Sequence, residues 1–325
     1  MARRKSSKNM NVQPAVTRLW FRIDGQSTNN YVDLSLACSA ANRRFYRQGL
    51  TWAVAGMSVL TTPDTSGDAP KGDFTVAKIP DTWVAKNAHT KAKMLWMKSQ
   101  QQVLADQPSV AAKYRDFKVY LDDDMVGSVI QDTNTPATTG QTLMPVDSQD
   151  FITKKGEWIY STIQLPEAGG SAQPVEITMH MVGNDDANSR GIIKGYGLSR
   201  TRPQAVDPNT PTAGGWMNDV FDVADNLDEI REDVTENNDV PPYRIGAVTE
   251  AIEYYPGGQN NAPSAALHSI NLVSGTTIGG KTHVEGGMFG CGLMRIGWDL
   301  KAVDTVYLAI DLVPGTQKGY LTEAY

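Results

Sequence analysis

Cysteine is nearly absent. The two thiols in 325 residues, Cys38 and Cys291, lie far apart and in no ligand spacing, which argues against both a disulfide framework and a structural zinc site. Both read as small buried apolar residues. Histidine is scarce as well, and His89, His180, His268 and His283 form no HExxH pattern; no GxSxG occurs either. Each histidine is therefore read as structural, with no catalytic residue, no metal and no cofactor assigned. No apolar run is long enough to span a bilayer, and polar residues follow the basic start where a signal peptide would be hydrophobic. A soluble chain made for the cytosol or nucleus, without membrane insertion, is expected. The last absence is local: residues 1–22 contain no acid, while Arg3, Arg4, Lys5, Lys8, Arg18 and Arg22 supply six cations in a chain whose net charge is -6.

That asymmetry describes a basic tail on an acidic body. MARRKSSKN has almost nothing apolar to bury, so it cannot offset its ordering entropy. A flexible arm over residues 1–15 that meets a polyanion is one reading, since neutralised phosphates release counterions. A solubilising terminus or a localisation signal is the other.

Apolar segments recur through the remainder: Val16 to Ile23, Tyr31 to Ala37, Thr51 to Thr61, Phe74 to Ile79, Phe117 to Leu121, Trp158 to Leu165, Val175 to Val182, Ile192 to Leu198, Leu267 to Val273, Met288 to Ile296 and Val306 to Val313. Most read as strands, and many short strands with few helices indicate an all-β sandwich. One inserted helix is expected from Thr82, placed as an N-cap, to Leu104; a second from Asn218 to Val234, with Val220, Val223, Leu227, Ile230 and Val234 on one stripe. The other face of the second helix is acidic, carrying Asp228 and Glu229 among nine carboxylates between Asp219 and Asp239. It either meets a basic patch on another copy or keeps a projection solvated. Surface-loop insertions are expected at about 61–73, 122–150 and 200–262 within a single domain over 16–325.

Gly275 to Thr282 matches the phosphate-loop pattern GxxxxGK[ST] literally. A nucleotide site needs a helix immediately afterwards, and four glycines between Gly286 and Gly292 would each cost roughly 1 kcal/mol relative to alanine there. A turn before an antiparallel strand fits these residues better, although Val306 to Asp311 could pass for a magnesium-binding strand. Asp122-Asp123-Asp124 and Asn184-Asp185-Asp186 offer oxygen ligands but fit no EF-hand loop, and solvated turns account for both.

Asn42 to Gly49, NRRFYRQG, interleaves Arg43, Arg44 and Arg47 with Phe45 and Tyr46. Arginines on phosphates with rings stacked on bases would hold a single strand. Alternatively the rings belong to the core and the arginines pair with carboxylates of a neighbouring subunit. Trp216, in a polar stretch, is a candidate interface anchor, the other six tryptophans being scattered.

The basic start MARRKSSKN, NRRFYRQG at 42–49, NNDVPPY at 237–243 with YYPGG at 254–258, and VYLAIDLVPGTQKG at 306–319 together resemble capsid proteins of small circular Rep-encoding single-stranded DNA viruses. The resemblance implies a single jelly roll of two four-stranded antiparallel sheets, assembling with about 60 copies of itself into a nonenveloped icosahedral shell, T=1 in the simplest case. It also implies a single-stranded DNA genome as partner, a host receptor that the residues do not specify, and location in the virion, with assembly in the host nucleus or cytoplasm. Arg3, Arg4, Lys5 and Lys8 would face the DNA, with Arg18, Arg43, Arg44 and Arg47 as further contacts; Trp216, Asp228, Glu229, Tyr243, Tyr254 and Tyr255 are interface candidates. Six N-terminal cations on ~60 subunits make roughly 360 charges against thousands of phosphates, so other basic residues must contribute. The competing readings are a jelly-roll carbohydrate-binding module, with Trp216, Tyr254 and Tyr255 as its sugar platform, and a nucleotide hydrolase at Gly275 to Thr282.

Overall fold

The computed structural model describes residues 14–24, 27–63, 70–106, 116–131, 140–149, 151–165, 175–186, 188–199, 202–203, 239–240, 264–274 and 280–325. Four strands come first: β1 (Arg18–Asp24), β2 (Ser27–Asp33), β3 (Leu50–Pro63) and β4 (Lys71–Lys78). The inserted segment, 79–265, carries β5 (Thr162–Leu165), β6 (Val175–His180) and β7 (Ser189–Gly191). Four long strands follow: β8 (Ala266–Val273), β9 (Lys281–Phe289), β10 (Leu293–Lys301) and β11 (Val303–Leu312), then a short β12 (Thr322–Ala324).

The first sheet runs β1-β11-β3-β9 and the second β8-β4-β10-β2, all antiparallel. Counting only these eight strands in chain order gives 1-8-3-6 and 5-4-7-2, the order of a jelly roll. Around this framework β12 adds to β3, and two-residue strands Gln141–Thr142 and Val129–Ile130 extend the second sheet beyond β2.

Alternation explains why these segments lie as they do. Leu19, Phe21 and Ile23 of β1 are buried, as are Val306, Leu308 and Ile310 of β11, while Arg18 and Arg22 fall on the opposite face. The same period on β10 sends Met294, Ile296, Trp298 and Leu300 inward, where Trp298 stacks on Phe74 of β4 at 6.1 Å between ring centroids. Each such side chain contributes about 1.5–3 kcal/mol by leaving water. Both cysteines are buried and free.

Of the seven connections between consecutive framework strands, only β4 to β8 stays within a sheet, and the insertion sits there. Lys78 pairs with Ala266, so the inserted chain departs and returns at one point. It carries a core of its own. Helix α2 (Trp83–Asp106) starts where expected, with Thr82 Oγ1 accepting from Ala85 N at 3.2 Å, and buries Val84, Ala88, Ala92 and Leu95. These meet Phe117, Val119, Trp158, Tyr160, Ile177 and Met179, and the cluster reaches the jelly roll through Tyr31, Leu36, Cys291 and Leu293.

Two apolar segments expected among the strands are helical. Tyr31 to Ala37 is strand only as far as Asp33, whose side chain accepts from Ser35 N and Leu36 N and starts α1 (Leu34–Asn42). Its first turns are buried on every side, which erases the period that marks a helix. Ile192 to Leu198 is α4 (Ile192–Leu198), docked on α2 by a 2.6 Å bond from Lys91 Nζ to Ser199 Oγ. Here tertiary contacts override two glycines. Phe117 to Leu121 is extended but joins β6 only through the Tyr120–His180 bridge. Of the expected loops, 61–63 and 71–73 belong to β3 and β4; within 122–150, Met125, Ile130, Leu143 and Met144 are buried, their apolar atoms sparse in a polar stretch. The expected helix Asn218 to Val234 lies outside the described residues.

Gly72 is a framework position that no side chain fits. At φ +151 its added Cβ would stand 1.9 Å from the Asp299 carbonyl oxygen of β10. Gly72→Ala is expected to cost about 2 kcal/mol through forced separation of β4 from β10, read as a lower urea midpoint at unchanged slope.

Candidate nucleic-acid interface

Helix α1 ends at Arg43, which takes the left-handed conformation (φ 50, ψ 40) and turns the basic segment back across the helix end. Asn42 holds this corner. Its Oδ1 accepts from Val16 N at 2.9 Å, its Nδ2 donates to Tyr320 Oη at 2.7 Å, and Tyr320 Oη donates to Val16 O at 2.6 Å. The chain that bears Arg3, Arg4, Lys5 and Lys8, themselves outside the described residues, therefore joins the fold beside Arg43.

A cavity of about 370 Å³ opens next to that corner, with Arg43, Arg44, Lys118, Lys154 and Lys155 around it and, among the described residues, Glu157 as the one carboxylate on its wall. Phe45 and Trp158 form its apolar side, their ring centroids 6.1 Å apart. Lys118 Nζ lies 4.8 Å from the Trp158 centroid and 5.4 Å from that of Phe45. Burial lowers the Lys118 pKa, and Asp116, 4.0 Å away, pulls it back up. A cation held over rings, ringed by further cations, suits a phosphate with a base laid on an aromatic face.

The structure thus brings Arg43 and Arg44 together with three lysines, but sends the other expected contacts elsewhere. Arg47 lines a different cavity, beside Lys93 and His89. Arg18 lies on β1 and grips Asp311 of β11 with two hydrogen bonds, Nη2 to Oδ2 at 2.8 Å, a pairing that raises the pKa of Arg18 and lowers that of Asp311. Tyr46 is core, donating to Lys318 O at 3.0 Å, so Phe45 alone of the two rings faces the basic cavity. Lys118, Lys154, Lys155 and Trp158 escaped the sequence reading. TKKGEW at 153–158 held a signal, a lysine doublet beside tryptophan; Lys118 sits unmarked within an apolar run.

Other motifs resolve into structure. Gly275 to Ile278 and Gly279 lie outside the described residues, but Lys281 and Thr282 open β9 and pair with Leu60 and Val59, so a strand stands where a phosphate loop needs its helix. Asp122 caps α3 (Asp123–Val126) through Met125 N at 2.9 Å and meets Arg295 at 3.4 Å; Asp185 pairs with Lys194 at 3.2 Å. Among the described residues no group of three or more His, Cys, Asp or Glu is placed to hold a metal. Trp216, Asp228, Glu229, Tyr243, Tyr254 and Tyr255 lie outside the described residues. No helix among the described residues is long and apolar enough to cross a membrane. Comparison of the chain with protein-family models, curated proteins and solved structures finds no match.

Proposed function

We propose that this chain is a structural protein whose copies assemble into a nonenveloped icosahedral shell around circular single-stranded DNA. The observation that carries the reading is the meeting, at one corner of an eight-stranded jelly roll, of the attachment point of a cationic arm with a basic, aromatic-walled cavity. The fold alone does not choose, because lectins and cupins share it with capsid proteins. Five cations against one carboxylate, counted among the described residues, favour a polyanion over a neutral sugar. No reaction is assigned. In the simplest shell about 60 copies close by symmetry, and the chain's place is the virion after assembly in the host nucleus or cytoplasm.

Electron microscopy of the purified protein is expected to show closed particles, and nuclease-resistant DNA is expected to copurify. Deleting residues 2–9 should lower the DNA load. Lys154→Ala with Lys155→Ala should flatten the logarithmic salt dependence of oligo-dT binding by roughly 1.4, from about 0.7 per single-strand phosphate contact. A monomer at every salt and pH sinks the shell; an undiminished DNA load after the deletion removes the arm as the main contact.

A further inference from the structure

A second cavity, of about 260 Å³, opens on the other flank of the NRRFYRQG segment. Its wall includes His89, Trp96 and Gln100 of α2, Phe117, and the cations Arg47 and Lys93. Ligand pockets begin at roughly 300 Å³, so this space suits a single ring system better than an extended ligand. His89 is 2% exposed, yet neither of its ring nitrogens has a hydrogen-bond partner among the described residues. Orphaned buried polar atoms are uncommon in folded proteins, and a neutral imidazole has both a donor and an acceptor to offer.

Asp116 also lines the cavity. Its Oδ2 accepts from Gln48 N at 3.2 Å, which fixes the carboxylate in place against the wall. Apolar faces from Trp96 and Phe117, a polar ring atom on His89, an acceptor on Asp116 and cations on Arg47 and Lys93 ask for one kind of ligand. It is flat, carries a donor on its edge and is joined to an anion. A nucleotide whose base bears an exocyclic amine has all three properties, since carboxylates accept from such amines and rings stack on bases.

We propose that this cavity receives one nucleotide of single-stranded DNA and favours bases with an exocyclic amine, cytosine and adenine among them, over thymine, the amine donating to Asp116. Thymine presents a carbonyl oxygen where cytosine has its amine, and meets the carboxylate as acceptor against acceptor. The phosphate lies against Arg47 and Lys93. The inference rests on the DNA-binding reading above and deepens it: one cavity holds the strand by charge, and its neighbour across the 43–49 segment selects a base.

The test is calorimetric titration of the full-length protein, in whatever assembly it adopts, with dCMP, dAMP, dTMP and inorganic phosphate. Saturable binding of dCMP and dAMP, roughly tenfold tighter than dTMP, is expected. Lys93→Ala should weaken all three nucleotides severalfold, and Asp116→Asn should abolish the preference for dCMP over dTMP, with circular dichroism confirming the fold. If Asp116→Asn does not fold, Gln100→Leu, farther along α2, serves as the second variant and should weaken dCMP binding. No saturable dCMP binding, or phosphate and dTMP binding as tightly as dCMP, overturns the proposal. Shells that contain DNA but bind no nucleotide refute the cavity and leave the shell standing; a dispersed monomer that binds dCMP does the reverse.

Discussion

Replacing Asp33 with leucine is expected to remove about 3–5 kcal/mol of stability. Five donors converge on that side chain. Ser35 N, Ser35 Oγ and Leu36 N address Oδ1, while Gln48 Nε2 at 2.8 Å and Tyr160 Oη at 3.2 Å address Oδ2. Gln48 passes the connection on, its Oε1 accepting from Val119 N at 2.6 Å and its backbone N–H donating to Asp116. The network therefore ties β2 and α1 to the basic segment and to the inserted core. Leucine would take the Asp33 acceptor from all of these buried donors, with Gln48 Nε2 still donating to the Val119 carbonyl at 3.0 Å, and each donor left unsatisfied costs roughly 1–3 kcal/mol before relaxation. Burial raises the Asp33 pKa and the donors oppose it. Asp33→Asn separates the two influences, because an amide turns an N–H group toward one of the donor sets. Urea denaturation should rank wild type above Asn and Asn above Leu. Equality of wild type and Asn would mean that the buried carboxyl is protonated and that the donors do not require its charge.

Acid is expected to weaken the fold through His89. Burial, with a smaller contribution from Lys93, lowers its pKa from 6.5 to about 4. Between those values the unfolded chain binds the proton and the folded chain does not, so stability rises with pH across the window. It is fully present above pH 6.5 and lost as the pH falls towards 4, by about 3 kcal/mol at 1.36 kcal/mol per unit. His180 is buried too, and its pKa is shifted the same way. The buried carboxyls Asp33, Asp116 and Asp122 are raised by burial and act with opposite sign, losing stability as the pH rises through their folded values. The decisive quantity is thus the difference between wild type and His89→Leu, in denaturant midpoints measured from pH 7 to pH 4.5. Parallel curves would show that His89 does not contribute to the acid sensitivity.

Much of the framework was legible because strands advertise their buried face. Leu19, Phe21 and Ile23 alternate with Arg18, Trp20 and Arg22, and Thr82 announces the start of α2 with the residue type that caps it. The jelly roll itself follows from such strands only when their order is known, and in sequence the order came through resemblance. What stayed hidden depended on contacts between distant segments. Asp33 looked like the middle of a strand until its carboxylate was seen to collect the amides of Ser35 and Leu36. The basic cavity joins residues near 43, 118 and 154, and no local pattern records that meeting. Arg43 and Arg44 were visible as a cluster, whereas Lys118 required the fold to show which rings it covers.

The first strand has to wait for its partner. Arg18 and Asp311, which face each other across β1 and β11, are 293 positions apart in the chain. At about 5–20 residues per second, a ribosome needs roughly 15–60 s to get from one to the other. Throughout that interval Leu19, Phe21 and Ile23 have no β11 to lie beside, and an apolar strand edge left unpaired is prone to aggregate. Lowering the growth temperature during expression should favour recovery of folded protein over inclusion bodies.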